Sequence, residues 1–144
     1  MLPSTTTRVA DNTAPELNDA IRRRTEANLA YFAQHPDEIQ ARLDELDREW
    51  DIERVLETQA SSLTLLGTVL GATVNKRFLI LPAVVGAFFL QHALQGWCPP
   101  VPVLRRLGVR TQSEIEAERH ALKALRGDFR SGEKVLRFVR GRAR

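Results

Sequence analysis

Cys98 is the single thiol in 144 residues, and His92 is the base nearest to it in sequence. A cysteine nucleophile needs such a base within hydrogen-bond reach to become a thiolate. Within one helix the pair fails that test, because six residues at about 100° each set the two side chains roughly 120° apart and about 9 Å along the axis. They meet only across two chains or after the helix breaks. Gln91 and Gln95 share a face with Cys98, but an amide does not activate a thiol. His35 and His120 lie in distant segments without ligand spacing, and no phosphate loop, paired catalytic carboxylates or serine-centred triad is present. One cysteine also excludes an internal disulfide framework. The residues predict no catalytic site, no metal and no cofactor, with Cys98 in an interfacial packing role.

No formal charge occurs from Thr58 to Asn75 or from Phe78 to Leu104, and only Lys76 and Arg77 separate the two stretches. Both flanks are dense in charge, so the pattern marks a change of solvent, with lipid for the middle and water for the arms. The expected fold class is all-α: a membrane helical hairpin of two short transmembrane helices, with long amphipathic N-terminal helices and a C-terminal amphipathic basic helix. Its parts are a flexible lead at 1–13, an acidic amphipathic arm at 14–57, the hairpin with its exit at 58–104, and a basic arm and tail at 105–144. From Asp37 to Glu57 nine acids stand against three arginines, whereas Arg105 to Arg144 holds twelve basic residues and five acids. Arms so charged attract each other, or the basic one meets anionic lipid, and neither reading calls for nucleic acid. The opening residues contain no apolar core of the kind a cleavable signal has, so the hairpin itself is the expected insertion signal.

Thr13-x-x-Glu16 resembles a capping box with Pro15 in the first turn, opening a helix that runs to about Gln34. His35-Pro36 interrupts, and Asp37 and Glu38 restart a helix at its positive dipole end. Ile39, Leu43, Leu46 and Trp50 then repeat at spacings of four, three and four, a stripe that wants an apolar partner. No stop signal precedes Val74, so this helix is expected to continue into the apolar stretch. Prolines at 99, 100 and 102 predict an extended exit. Beyond it Thr111-x-x-Glu114 and Ser113-x-x-Glu116 offer helix starts and Gly127 a stop, with Ile115, Leu122, Leu125 and Phe129 forming an intermittent apolar line suited to the acidic helix. The stretch from Arg130 to Arg144 reads either as a helix on an anionic surface or as a solvated tail.

The first uncharged window is weakly apolar, and its eighteen positions span roughly 27 Å against a hydrocarbon core of about 30 Å. Gly67-x-x-x-Gly71 gives it a face for close helix approach, and Thr64 and Thr68 add hydroxyls. The natural partner is the second segment, where Ala83 and Ala87 stand beside Gly86. That segment has no polar side chain from Phe78 to Leu90, carries Pro82 in its first turns, and places Trp97 where a membrane interface would lie. Arg105 and Arg106 follow the exit at a level suited to phosphate headgroups, as do Arg137 and Arg140 in the tail. Arg42, Arg48, Arg54, Arg105, Arg106 and Arg110 on the arm side outnumber Lys76 and Arg77 in the turn, which predicts cytoplasmic termini.

The run Gln95-Gly96-Trp97-Cys98-Pro99-Pro100-Val101-Pro102-Val103-Leu104-Arg105-Arg106-Leu107-Gly108-Val109 resembles the Gly-x-Cys-Pro ending, followed by a short apolar stretch and glycine, of the YgaP-like transmembrane-domain family. Glu53-Arg54 before the first apolar segment, and Gly67 and Gly71 within it, fit the same pattern over about residues 52–111. The resemblance implies a small bacterial inner-membrane helical hairpin of undefined biochemical role, with Gly96, Trp97, Cys98, Pro99 and Pro100 as its interfacial motif. In some relatives the hairpin follows a sulfur-handling rhodanese domain. Here the first fifty-seven residues are helical in pattern and lack cysteine, so that chemistry is not implied.

Three roles are compatible with these readings. One is a non-enzymatic helix-pairing or scaffold module whose partners are membrane lipid and either a second copy or another membrane protein. Another is an accessory to sulfur or thiol metabolism through Cys98, and the third is a soluble helical bundle that buries both apolar segments.

Overall fold

The computed structural model describes residues 3–130, so Arg137, Arg140 and the tail around them lie outside the described residues. The helices are α1 (Arg8–Asp11), α2 (Pro15–Gln34), α3 (Ile39–Arg48), α4 (Ile52–Thr73), α5 (Ile80–Gln95), α6 (Pro100–Arg106) and α7 (Gln112–Arg126), and no strand occurs among the described residues. The chain divides into two units. The first takes the described residues up to Ile21 together with Trp50–Ser113; the second takes Arg22–Glu49 and the described residues from Glu114 onward.

The second unit is built on the apolar stripe of α3. Ile39, Leu43 and Leu46 are buried against Ile115 and Leu122 of α7, with Leu29 and Phe32 of α2 packed alongside. Leu125 and Phe129, expected in the same line, stay half exposed, and Phe129 instead stacks on His120 with ring centroids 5.4 Å apart. Glu118 is fully buried and accepts hydrogen bonds from Arg42 at 2.9 Å and Asn28 at 3.1 Å. Arg119 reaches Asp47 from the neighbouring turn of α7.

Trp50 does not extend the stripe, and the long helix expected from α3 to Val74 is two helices. α3 ends at Arg48, and Asp51 starts α4 afresh by accepting the Arg54 N–H on Oδ1 at 2.8 Å. An aspartate N-cap satisfies an orphan donor that an uninterrupted helix would not have left, so the acidic residue favours the break. Trp50 sits outside the stripe, half exposed, with the Arg54 guanidinium 4.5 Å over its ring.

In the first unit α4 and α5 run antiparallel, joined by a 3-10 turn over Lys76–Leu79 whose start Asn75 caps by accepting the Arg77 N–H at 2.9 Å. Pro82 lies in the first turn of α5, where no helical N–H is lost. Two further expectations fail. The prolines at 99, 100 and 102 do not give an extended exit but open α6, because first-turn amides need no helical acceptor and Val101 N–H bonds back to the Cys98 carbonyl at 3.0 Å. Nor is the described part of the lead, residues 3–13, without structure: α1 buries Val9 in a core shared with Ile52, Leu56, Cys98, Val101 and Leu104.

One helical run among the described residues, Lys76–Gln95, is long and apolar enough to cross a membrane, with mean hydropathy 1.6 and 6% of it buried. The sequence suggests a pair. α4 falls short because its first turns carry Glu53, Arg54 and Glu57 and its middle is diluted by serine and threonine.

Candidate functional site: an apolar belt above a polar lock

The limbs of the hairpin touch through glycine. A Cβ at Gly67 would lie 2.6 Å from Pro82 Cδ and 3.1 Å from Leu81 Cβ, and one at Gly71 would lie 2.5 Å from Leu79 Cδ2. The small-residue face of α4 is therefore occupied by the chain's own second limb. The Thr68 hydroxyl turns back on its own helix, donating to the Thr64 carbonyl at 2.7 Å. On α5 the small residues Ala83, Gly86 and Ala87 face open space, and nothing lies within 4 Å of a Cβ built on Gly86.

Around this seam the limbs are bare. Leu65, Val74 and Ile80 are 67%, 68% and 71% exposed, and Leu63, Leu66, Val69, Phe78, Val84, Phe88, Leu90 and Leu94 are exposed as well. A soluble monomer rarely shows a contiguous apolar surface of this kind, and such a surface marks contact with lipid or protein.

At the open end of the hairpin the apolar belt gives way to a cluster of fixed polar contacts. His92 Nε2 donates to Glu53 Oε2 at 2.9 Å, and Arg8 Nη2 donates to the other oxygen, Oε1, at 2.8 Å. His92 is 1% exposed. The hydrogen bond from His92 holds the Glu53 carboxyl below its ordinary value against the opposing effect of partial burial, and the charges of His92 and Arg8 add to that. Gly96 closes α5 with φ of +78° and lets the α1 backbone approach, while Asn12 Nδ2 donates to the Gln95 carbonyl and to the Arg8 carbonyl, each at 2.8 Å. α1 thereby covers the end of α5.

Acid should loosen this lock. The folded carboxyl titrates below its unfolded value of about 4.3, so its stabilisation is complete above that value and is lost as pH falls through the folded one. Glu53 is partly exposed, which limits the effect to about 1 kcal/mol. Melting temperature between pH 6 and 2.5 should fall less steeply in Glu53→Gln than in the parent chain; parallel curves would remove the carboxylate from the account.

Of the residues expected at phosphate level, Arg105 is not there. It is 1% exposed and donates to the Val109 carbonyl at 3.0 Å and to Asn18 Oδ1 at 2.9 Å, because α6 turns its C-terminal side onto α2 instead of trailing away. Arg106, one position on, is exposed. Trp97 is half-buried and Gly96 buried, while Pro99 and Pro100 are exposed. Cys98, which lies beyond the last turn of α5, is 4% exposed. Burial, with the nearby Glu53 charge, pushes its thiol up, although the Val101 N–H offsets part of the shift. The arrangement disfavours a thiolate, and the base His92 is committed to Glu53.

The Glu53–His92 contact joins residues 39 positions apart, which no local pattern reveals; its signals in the sequence are a charged residue just ahead of one apolar segment and a histidine near the end of the next. Among the described residues no group of His, Cys, Asp and Glu is arranged to hold a metal ion. No family model, curated protein or solved structure matches the chain.

Proposed function

We propose that the chain is a non-enzymatic integral membrane protein, a helical hairpin that inserts its two limbs from the arm side and presents charged helices as an interaction or scaffold module. The observation that carries this reading is the bare apolar surface of both limbs, which ends at the Arg8–Glu53–His92 cluster. Within hydrocarbon a helical hairpin satisfies its own backbone amides, and the weakly apolar first limb is sheltered along one side by the second. The YgaP-like resemblance supports the same reading and adds a bacterial inner membrane, and the excess of arginines on the arm side adds cytoplasmic termini. Pairing with a second copy or another membrane protein falls to the open Ala83, Gly86 and Ala87 face.

Alkaline carbonate extraction of the full chain tests the reading: retention in the membrane pellet is expected. Release into the supernatant as a monomer would favour a soluble bundle instead. A role in thiol metabolism has weaker support, since Cys98 is buried and its thiol is raised.

A further inference from the structure

The turn that joins α4 to α5 satisfies its own polar groups and leaves two cations outside. The Val74 and Asn75 N–H groups both reach the Leu70 carbonyl, at 2.9 and 3.0 Å, and the Thr73 hydroxyl donates to the Val69 carbonyl at 2.7 Å. Asn75 caps the turn, and Gly71 packs on Leu79 within it, so the end of the hairpin is fixed to both limbs. Lys76 and Arg77 project from this frame. Both are exposed, and neither has an ion-pair partner among the described residues.

No charged residue lies between Glu57 and Lys76, and those eighteen positions rise about 27 Å. The bare surface of the limbs is therefore bounded by charge at both ends and falls about 3 Å short of a hydrocarbon core of about 30 Å. A short span is accommodated by long cationic side chains whose stems stay in the apolar layer while the charge reaches the phosphates. Lys76 and Arg77 stand where that is needed, at the end of the hairpin opposite α1 and α6. The competing anion would be a carboxylate of a second copy. None occurs from Thr58 to Leu104, and Glu57 lies at the other end of the limb, so only an antiparallel copy would bring one to the turn. The arginine excess on the arm side sets one orientation, in which neighbouring copies would place Lys76 and Arg77 beside like charges. We propose that Lys76 and Arg77 form a phosphate anchor, holding the turn at the lipid phosphates of the leaflet opposite α1 and α6. The proposal rests on the membrane-hairpin reading above.

The test places the full chain, isotopically labelled at lysine Nζ, in vesicles of phosphatidylglycerol and phosphatidylcholine and reads dephasing of the Nζ signal by lipid phosphorus in solid-state NMR. Subtracting the Lys76→Gln spectrum separates Lys76 from Lys123 and Lys134. Strong dephasing at Lys76 is expected. The enrichment of phosphatidylglycerol over phosphatidylcholine around the chain should fall about fivefold in Lys76→Gln and again in Arg77→Gln, whereas Lys76→Arg should keep it. Absence of dephasing at Lys76, or an unchanged lipid preference in both glutamine variants, would overturn the anchor. So would a carbodiimide cross-link between Lys76 of one copy and Glu57 of another, which would assign the charges to an antiparallel pair. Carbonate extraction of the same chains separates the two failures: pelleted protein without dephasing sinks the anchor alone, and protein in the supernatant sinks the hairpin reading with it.

Discussion

The Gly96→Ala chain is expected to lose roughly 3 kcal/mol, seen as a large drop in melting temperature in detergent. Two effects add. An L residue at φ of +78° is strained by about 1–2 kcal/mol, and a Cβ there would press on the Arg8 carbonyl, whose carbon would lie 2.5 Å away. Relief requires α1 to move, which pulls Val9 from the core and breaks the Arg8–Glu53 and Asn12–Gln95 contacts. Limited proteolysis should then cut near Arg8 much faster than in the parent chain. Gly86→Ala is the control: with nothing within 4 Å of its Cβ, it should gain up to about 1 kcal/mol from helix propensity. Equal melting of the two variants would show that α1 does not seat on Gly96.

Gly67→Leu should separate the limbs, at a loss of about 4 kcal/mol, because the Pro82 ring and the Leu81 Cβ leave no room for a side chain. Alanine substitutions resolve the seam more finely. At Gly67 even a methyl meets a rigid ring 2.6 Å away, so overpacking of roughly 1–3 kcal/mol outweighs a gain of about 1 kcal/mol in helix propensity. At Gly71 the obstruction is the Leu79 side chain, with Cδ2 at 2.5 Å, Cγ at 2.7 Å and the backbone N at 3.3 Å; the side chain can give by turning about χ1 where the proline ring cannot, so the net loss should be smaller than at Gly67, about 1 kcal/mol. Melting in detergent and gel mobility read both. A Gly71→Ala variant as damaged as Gly67→Ala would mean that Leu79 is held as firmly as the proline.

The second unit was legible because its signals are periodic and local. Ile39, Leu43 and Leu46 lie on one helical face, Pro36 sets its start, and Gly127 follows α7 with φ of +85°. Ile115 and Leu122 supplied the partner face. The first unit was less legible, since its decisive contacts join distant residues. Val9 carries no periodic context that would mark it as core, and Arg105 in sequence looks like one of two equivalent basic residues until Asn18 and the Val109 carbonyl claim it. Elsewhere a general rule meets its local exception. Proline ends a helix in its interior but begins one at its first turn, as Pro100 does, and Asp51 offered a capping signal inside a stretch that looked continuous. The glycine pair is visible in the sequence, whereas the surface it meets, Leu79, Leu81 and Pro82, comes only from the fold.

Because the chain's sole sulfhydryl is shut inside the packing of α1, α4 and α6, alkylation of Cys98 can serve as a clock for how often that packing opens. In a chain with no competing thiol, the modification rate reports transient breathing without any engineered probe.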